Sequence, residues 1–544
     1  MPGEDVFDFV VVGTGTAGAV LVNRLSADGR HRVCALEAGG RDWHPLLHIP
    51  AGFMKTLTDP SVNWLYEAEP SEGTAGRRIA HPRGRTFGGS SSINGHVYNR
   101  GQRMDFDAWA QRGNRGWGYA DVLPYFRRSE RRIGPGDDRY RGREGEFVVE
   151  DLAWRHPLCE AFIAGAESIG IPRNPDYNGE RQEGVGYFQR SVHRNRRMGT
   201  ARAHLRPAMR RRNVDVRPHA HAARIRFEGN RAVGVEYLRG GERRVVRAAR
   251  EVIVAGGAVN SPQLLQLSGL GPPALLGALG IPVRRALPGV GENLRDHYAI
   301  RTAFRVGDVR TINELARGWR LGVEVAKYFA FGTGILTLQP TLVHCFWKSD
   351  EALDAADLQL TFTPASYRQG VQSALEDEPG ATVAVWQHRP ESRGHVRARS
   401  ADPLAKPEIQ PNYLADKMDR RVIVDGIGLA RRLMRTEPLA PYFAHEALPG
   451  DAVRTEGEIL DFARGIGTTA FHLSGTCRMG PATDPEAVVD DRLRVHGIEG
   501  LRIADASIMP QITSANTNAA VLMIGEKAAD MILGVPPPEP AALP

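Results

Sequence analysis

The sequence predicts an α/β chain, α+β over its whole length: a parallel sheet covered by helices, into which a second domain built on an antiparallel sheet is inserted. Three observations predict it. Phe7 to Val12 is a nearly unbroken apolar run, the pattern of a strand buried on both faces, and it ends in Gly13-Thr14-Gly15-Thr16-Ala17-Gly18. Arg250 to Gly257 repeats the pattern, an apolar strand running into paired glycines and then a helical stretch around Leu264, Leu265 and Leu267. In the middle of the chain the texture changes. Leu358 to Thr363, Thr382 to Trp386 and Gly394 to Arg399 carry β-branched or alternating residues, as antiparallel strands with one wet face do.

Taken in order, Gly13 permits the tight turn, Gly15 lets the backbone approach a pyrophosphate, and Gly18 lets the helix from Ala17 to Leu25 pack on its strand. Free amides at that helix start face the phosphates. A second strand, Val33 to Leu36, ends in Glu37, 24 positions after Gly13 and placed for the hydroxyls of an adenosine ribose. An acid there suits FAD or NAD and would repel the extra phosphate of NADP. The unit is therefore Rossmann-like and binds a dinucleotide. Ala38 to Arg83, with Trp43, Met54, Trp64 and Tyr66, reads as a long loop that serves as a lid or cofactor cover. Gly134 to Arg143 is an exposed turn region. Leu501 to Asp505 is a further short strand, Ala519 to Ile532 an amphipathic closing helix, and the proline-rich 536–544 a disordered tail.

Composition narrows the function classes. The net charge is +7, which by itself would suit nucleic acid or a membrane surface. However, 64 of the 70 basic residues are arginine and they are scattered, so the charge reads as a compositional bias and no nucleic-acid partner is expected. Cys34, Cys159, Cys345 and Cys477 form no CxxC pair, so neither a metal site nor a disulfide framework is indicated. No apolar run approaches transmembrane length. A cytoplasmic protein is expected, with peripheral membrane attachment left open.

Two further stretches, Gly84-Arg85-Thr86-Phe87-Gly88-Gly89-Ser90-Ser91-Ser92-Ile93-Asn94 and Gly257 to Gly271, resemble the two signatures of the glucose-methanol-choline (GMC) oxidoreductases, and the similarity runs from about Asp8 to Leu533. The resemblance implies FAD as the dinucleotide. It implies that Gly13, Gly15, Thr16, Ala17 and Gly18 cradle the pyrophosphate and that Glu37 holds the ribose. It places Arg85, Gly88, Gly89, Ser91, Asn94 and Gly95 along the flavin and Ala222 at the adenine. Asp505, Ala506, Thr517 and Asn518 fall to the pyrophosphate or isoalloxazine. Some members link FAD through a histidine in the Gly-Gly-Ser loop; Ile93 stands there, so a non-covalent FAD is expected. His96, just beyond the loop, reads as a core histidine or as a group facing substrate. The FAD-binding domain is expected over 1–155, 197–300 and 460–535, and the substrate domain over 156–196 and 301–459.

Alcohol oxidation needs loss of a hydroxyl proton and transfer of hydride to an acceptor. An imidazole with a pKa near working pH can take the proton, and an amide can hold the oxygen without competing for it. His472 and Asn516, in motifs matching the family, fit those catalytic roles. The expected substrate is a small or aromatic primary alcohol, with Phe471, His344, Phe346, Phe362 and Trp386 as pocket candidates and a sugar or polyol as the next choice. Oxygen or an external quinone or protein would accept the electrons. A hydroxynitrile-lyase-like activity and oxidation of a larger biosynthetic intermediate stay open as alternatives.

Overall fold

The computed structural model of the protein describes residues 5–368 and 374–543. In chain order its principal strands begin with β1 (Val6–Val12), β2 (Val33–Leu36), β3 (Gly184–Tyr187), β4 (Val214–Arg217), β5 (His221–Glu228), β6 (Arg231–Arg239) and β7 (Glu242–Val254). They continue with β8 (Tyr298–Val306), β9 (Val343–Trp347), β10 (Leu358–Thr363), β11 (Gly380–Gln387), β12 (Phe443–Leu448), β13 (Thr468–Thr469) and β14 (Leu501–Ile503). The helices that position the site are α1 (Thr16–Leu25), α2 (Pro157–Ser168), α3 (Gly257–Leu267), α4 (Lys417–Met434) and α5 (Asn518–Leu533).

The first sheet is parallel in the order β4-β2-β1-β7-β14, and β7 continues into an antiparallel meander through β6 and β5. The glycine turn after β1 behaves as its chemistry requires. Gly13 sits at φ +96°, and a Cβ on Gly18 would lie 2.0 Å from the Gly13 carbonyl oxygen, so only glycine allows α1 to meet the strand this closely. The expected amphipathic closing helix is instead buried almost all round, from Ala519 to Asp530, because α5 packs against α1 on one side and helix Tyr119–Ser129 on another. Its charges are compensated inside. Glu526 accepts from Arg24 and Arg128, and the Lys527 ammonium lies over the rings of Trp117 and Tyr125, where burial pushes its pKa down to about 8.

The second sheet is antiparallel in the order β12-β8-β11-β10-β9-β3, with β13 hydrogen-bonded to β8. The wet face expected for these strands does not face bulk water. Every residue of β10 is buried: α2 and α4 cover one face, and the other floors an internal cavity through Thr361, Thr363, Thr382, Ala384 and Trp386. Gly394 to Arg399 does not join this sheet. His395–Arg397 pairs only with Glu408–Gln410 in a separate ribbon, whose Val396 and Ile409 pack beside Val259 of α3. The sheets exchange chain beside the cavity: β8 opens at Tyr298 in the segment expected to close the FAD domain, and β13 lies in the segment expected to return to it.

The 38–83 segment holds several short helical turns and a two-stranded ribbon, Tyr66–Ala68 with Ile79–His81. Trp64 stacks on Tyr66 and lines the cavity, whereas Trp43 is 74% exposed. Residues 535–543 are irregular and nevertheless anchored: the Ala541 amide donates to the Ala120 carbonyl, and Ala541 and Leu543 pack on the core. No helix among the described residues is long and apolar enough to cross a membrane.

The seat of α4 on β11 gives a sharp test. A Cβ on Gly426 would lie 2.4 Å from a methyl of Val385, while one on Gly428 meets nothing within 4 Å. Gly426→Ala should destabilise the protein by about 1–3 kcal/mol through overpacking, and Gly428→Ala should stabilise it by about 0.5–1 kcal/mol. Chemical unfolding midpoints of the two variants check the opposite signs.

Candidate active site

One cavity of about 390 Å³ runs from the glycine turn to the floor of the antiparallel sheet. At the dinucleotide end the wall contains Gly13, Gly15, Thr16, Ala17, Glu37, Gly89, Asn94, Gly95, Ala222, Asp505, Ala506, Thr517 and Asn518. Four residues expected there stand behind it. Gly18 meets the Gly13 carbonyl, and Gly88, at φ +83°, gives its amide to the Thr14 carbonyl at 2.9 Å. Ser91 donates to the Gly88 carbonyl at 2.7 Å, and Arg85 lies over the Trp64 ring. Each shapes the loop and does not line the cavity.

The end of the cavity fits an extended dinucleotide. A Cβ on Gly89 would lie 2.8 Å from the Gly15 Cα, so two bare backbones face each other across the cradle. No side chain caps the start of α1, and its first turn carries no acid, which leaves the amides for an anion. Glu37 accepts from the Thr14 amide and hydroxyl at 3.1 and 2.7 Å and from the Gly39 amide at 2.8 Å. Burial lifts its pKa above the usual carboxylate range, against the pull of those donors. Asp505 accepts from the Gly257 amide and the Ser261 hydroxyl, at 2.8 and 2.6 Å, which ties β14 to the start of α3.

At the other end His472 and Asn516 meet. Asn516 Nδ2 lies 2.9 Å from His472 Nε2, and His472 Nδ1 lies 2.8 Å from His297 Nδ1. The tautomers follow from the end of this chain. His297 Nε2 is 2.7 Å from the His388 carbonyl oxygen, which can only accept, so His297 carries its proton on Nε2. Its Nδ1 then accepts from His472 Nδ1–H, and His472 keeps its lone pair on Nε2, where one Asn516 N–H meets it. Asn516 Oδ1 is buried without a partner.

Backbone conformation brings His472 to this place. Phe471 is left-handed, at φ +68°; its amide donates to Thr469 Oγ1 at 2.7 Å and its carbonyl accepts from Arg83 at 2.6 Å. Asp296 locks the turn: Oδ1 accepts from the His472 amide at 2.7 Å, and Oδ2 accepts from the Thr469 and Tyr413 hydroxyls, both at 2.5 Å. Sequence reasoning missed Asp296 and His297. The available signal was their position in Asn293-Leu294-Arg295-Asp296-His297, a polar run leading directly into a buried strand.

The remaining candidates divide. Phe471, Trp386 and His96 line the cavity. His96 donates from Nε2–H to the Pro50 carbonyl at 2.9 Å, and its Nδ1 has no partner. His344, Phe346 and Phe362 do not reach the cavity. His344 stacks on Phe346, and the pair meets Tyr177 and Phe188 edge-on or tilted, while Phe362 stacks on Phe162 of α2. The alternation that placed all of them on one sheet could not say which face met the cavity.

A phosphate cradle and a histidine–asparagine pair in one cavity define a dinucleotide-dependent oxidoreductase. Residues 7–299 and 390–525 match the N-terminal and C-terminal family profiles of GMC oxidoreductase. The chain is 39% identical over 98% of its length to the oxygen-dependent choline dehydrogenase of Staphylococcus saprophyticus, covering 96% of that protein. It is equally similar to that of Staphylococcus xylosus, over 99% of this chain and 96% of the relative. Among solved structures it superimposes on pyridoxine 4-oxidase from Mesorbium loti with a TM-score of 0.87 at 30% identity, covering 96% of this chain and 98% of the other. A formate oxidase from Aspergillus oryzae RIB40 gives 0.91 at 25% identity, over 98% and 99%. The chain belongs to the GMC oxidoreductase family; it is an FAD-dependent oxidoreductase that oxidises a primary alcohol at the CH–OH carbon.

The electrostatics differ from the sequence expectation in one respect. A pKa near working pH was expected for His472; burial, with His297 and Arg83 nearby, holds it well below the ordinary histidine value. Burial likewise pushes His297 down to about 4. A lowered histidine pKa favours the neutral form, so the Nε2 lone pair is present throughout the neutral range. The rate of flavin reduction should therefore stay flat as pH falls from about 8 through the ordinary histidine range, with the acidic fall displaced well below it. Anaerobic stopped-flow reduction across pH checks this, and an acidic limb centred near 6.5 would contradict it.

Proposed function

We propose that His472 Nε2 accepts the hydroxyl proton of the alcohol, that Asn516 holds the oxygen, and that FAD is bound without a covalent link. One observation carries the assignment of roles: the run from the His388 carbonyl through His297 to His472 leaves the only unprotonated ring nitrogen of His472 at the cavity. The hydroxyl proton displaces the Asn516 N–H from the single Nε2 lone pair, which frees Nδ2 to donate to the alkoxide-like oxygen. As the proton leaves oxygen, negative charge develops beside an amide donor, and the positive charge gained by His472 is shared through Nδ1–H with His297. FAD, when bound, supplies the two-electron acceptor for the hydride.

Non-covalent binding is supported by Ile93, a hydrocarbon side chain at the loop position where some relatives carry a linking histidine. The substrate region, where Trp386 and Phe471 line the cavity, suits a small or aromatic primary alcohol. Oxygen or an external quinone or protein acceptor would then take the electrons.

In His472→Ala, flavin reduction should slow by about 10²–10⁴-fold with FAD still bound; undiminished reduction would remove His472 from the mechanism. Acid precipitation should release the flavin to the supernatant. Yellow colour kept in the pellet would move the attachment to a side chain such as His96, whose Nδ1 is unpartnered just beyond that loop.

A further inference from the structure

The cavity carries a second charged feature that proton removal does not use. Side chains at alternate positions of a strand share a face, so Ala299 and Arg301 of β8 follow His297 on the side that holds His472. Both line the cavity. In the register of the floor, Arg301 pairs with Ala384 and Ala384 with Thr361; in the next row Ala303 pairs with Thr382 and Thr382 with Thr363. The small Ala384 leaves space beside the guanidinium. Arg301 lies four positions after His297, about 13 Å along the strand, a span that long side chains at either end reduce to the length of a small molecule.

Arg301 has no acidic partner among the described residues, although this chain pairs most of its buried arginines. Its neighbour is the Tyr367 ring, 5.7 Å from the guanidinium carbon, and burial holds that phenol in its neutral form. The Thr363 and Thr382 hydroxyls are spent on the carbonyls of Pro340 and Ala365, at 3.0 and 2.7 Å. The Thr361 hydroxyl has no protein partner among the described residues. Arg83, the other cation on the wall, is engaged with the Phe471 carbonyl. The acids of the wall are Glu37 and Asp505, both at the dinucleotide end and both saturated with donors. A half-buried guanidinium that faces a cavity without a counter-charge is costly, and an anion seated beside it offsets that cost.

We propose that Arg301, with the Thr361 hydroxyl, forms a carboxylate subsite, so that the preferred substrates are primary alcohols bearing a carboxylate at the end remote from the hydroxyl. A carboxylate matches the single positive charge and the planar fork of arginine, whereas a phosphate dianion would leave negative charge uncompensated. A quaternary ammonium alcohol such as choline meets a cation and no free acid at this end, and the Tyr367 face, the aromatic surface here for an ammonium, already carries Arg301. The proposal rests on the reading that His472 and Asn516 receive the hydroxyl end.

The test separates binding from turnover. In the FAD-loaded enzyme, 4-(hydroxymethyl)benzoate and 6-hydroxyhexanoate should be oxidised with a kcat/KM about 10²-fold above benzyl alcohol, hexan-1-ol and choline. Arg301→Gln should remove that advantage, about 10²-fold for the acids, and leave benzyl alcohol turnover unchanged; Arg301→Lys should restore part of it. Ala384→Leu, which keeps the charge and fills the space, should act like Arg301→Gln and covers the case in which loss of the arginine prevents folding. Benzoate binding, read by calorimetry on holoenzyme, should survive His472→Ala and vanish in Arg301→Gln. Equal use of acids and neutral alcohols, preference for choline, or benzoate binding indifferent to Arg301→Gln overturns the subsite. Arginine-dependent benzoate binding in an enzyme that no alcohol reduces would keep the subsite and overturn the proposed roles of His472 and Asn516.

Discussion

The Asp296 carboxylate is the interaction on which the site depends. It sits at the mouth of β8 and accepts from the His472 amide and from the hydroxyls of Thr469 and Tyr413, thereby joining three segments far apart in the chain. Burial raises its pKa, opposed by those same donors, so the group is held by hydrogen bonds directed at it and not by exposure to water. A buried acceptor of this kind tolerates no substitute for its partners. The left-handed turn at Phe471, the direction of the His472 ring and the contact with His297 all follow from it.

The same economy governs the rest of the polar interior. Most of the arginines this chain buries are met by carboxylates: Arg100 and Arg141 share Glu130, and Arg24 and Arg128 share Glu526, whereas Arg197 is held by the carbonyls of Leu47, Ser91 and Asn94. Histidines are handled in the opposite way. His81 and His344 are buried and pushed to about 3, neutral like the two at the active site. The interior thus keeps its imidazoles uncharged and gives its guanidiniums carboxylates or, at Arg197, a set of carbonyl oxygens; among the described residues Arg301 has neither.

Much of the fold was legible from period and punctuation. The apolar runs ending in glycine marked β1 and β7 because a strand buried on both faces leaves no alternation to confuse it with, and the glycines were dictated by approaches too close for a side chain. His472 and Asn516 were legible because they stand in motifs. The relay behind them was not: His297 and Asp296 reach His472 by tertiary folding across 175 and 176 positions, and no local pattern encodes such a pairing. The middle strands were recognisable as antiparallel, yet composition could not tell solvent from an internal cavity, since threonines serve on both kinds of surface. For that reason His344 and Phe362 were grouped with Trp386, although only Trp386 faces the cavity. The glycine-loop residues show a similar limit: Gly88 and Ser91 shape the wall that Gly89 and Asn94 form, and sequence spacing cannot separate the two duties.

The floor of the cavity is a regular sheet, and its cavity-facing side chains sit at alternate positions of strands whose backbone ladder is independent of them. The proton-handling pair hangs elsewhere, on the 469–472 turn and the 514–518 segment. Exchanging Ala384, Thr361 or Arg301 therefore leaves the backbone pairing and the phosphate cradle in place. Side chains of the floor can thus be exchanged to alter what fits the cavity while the backbone that carries the proton-handling pair stays as it was.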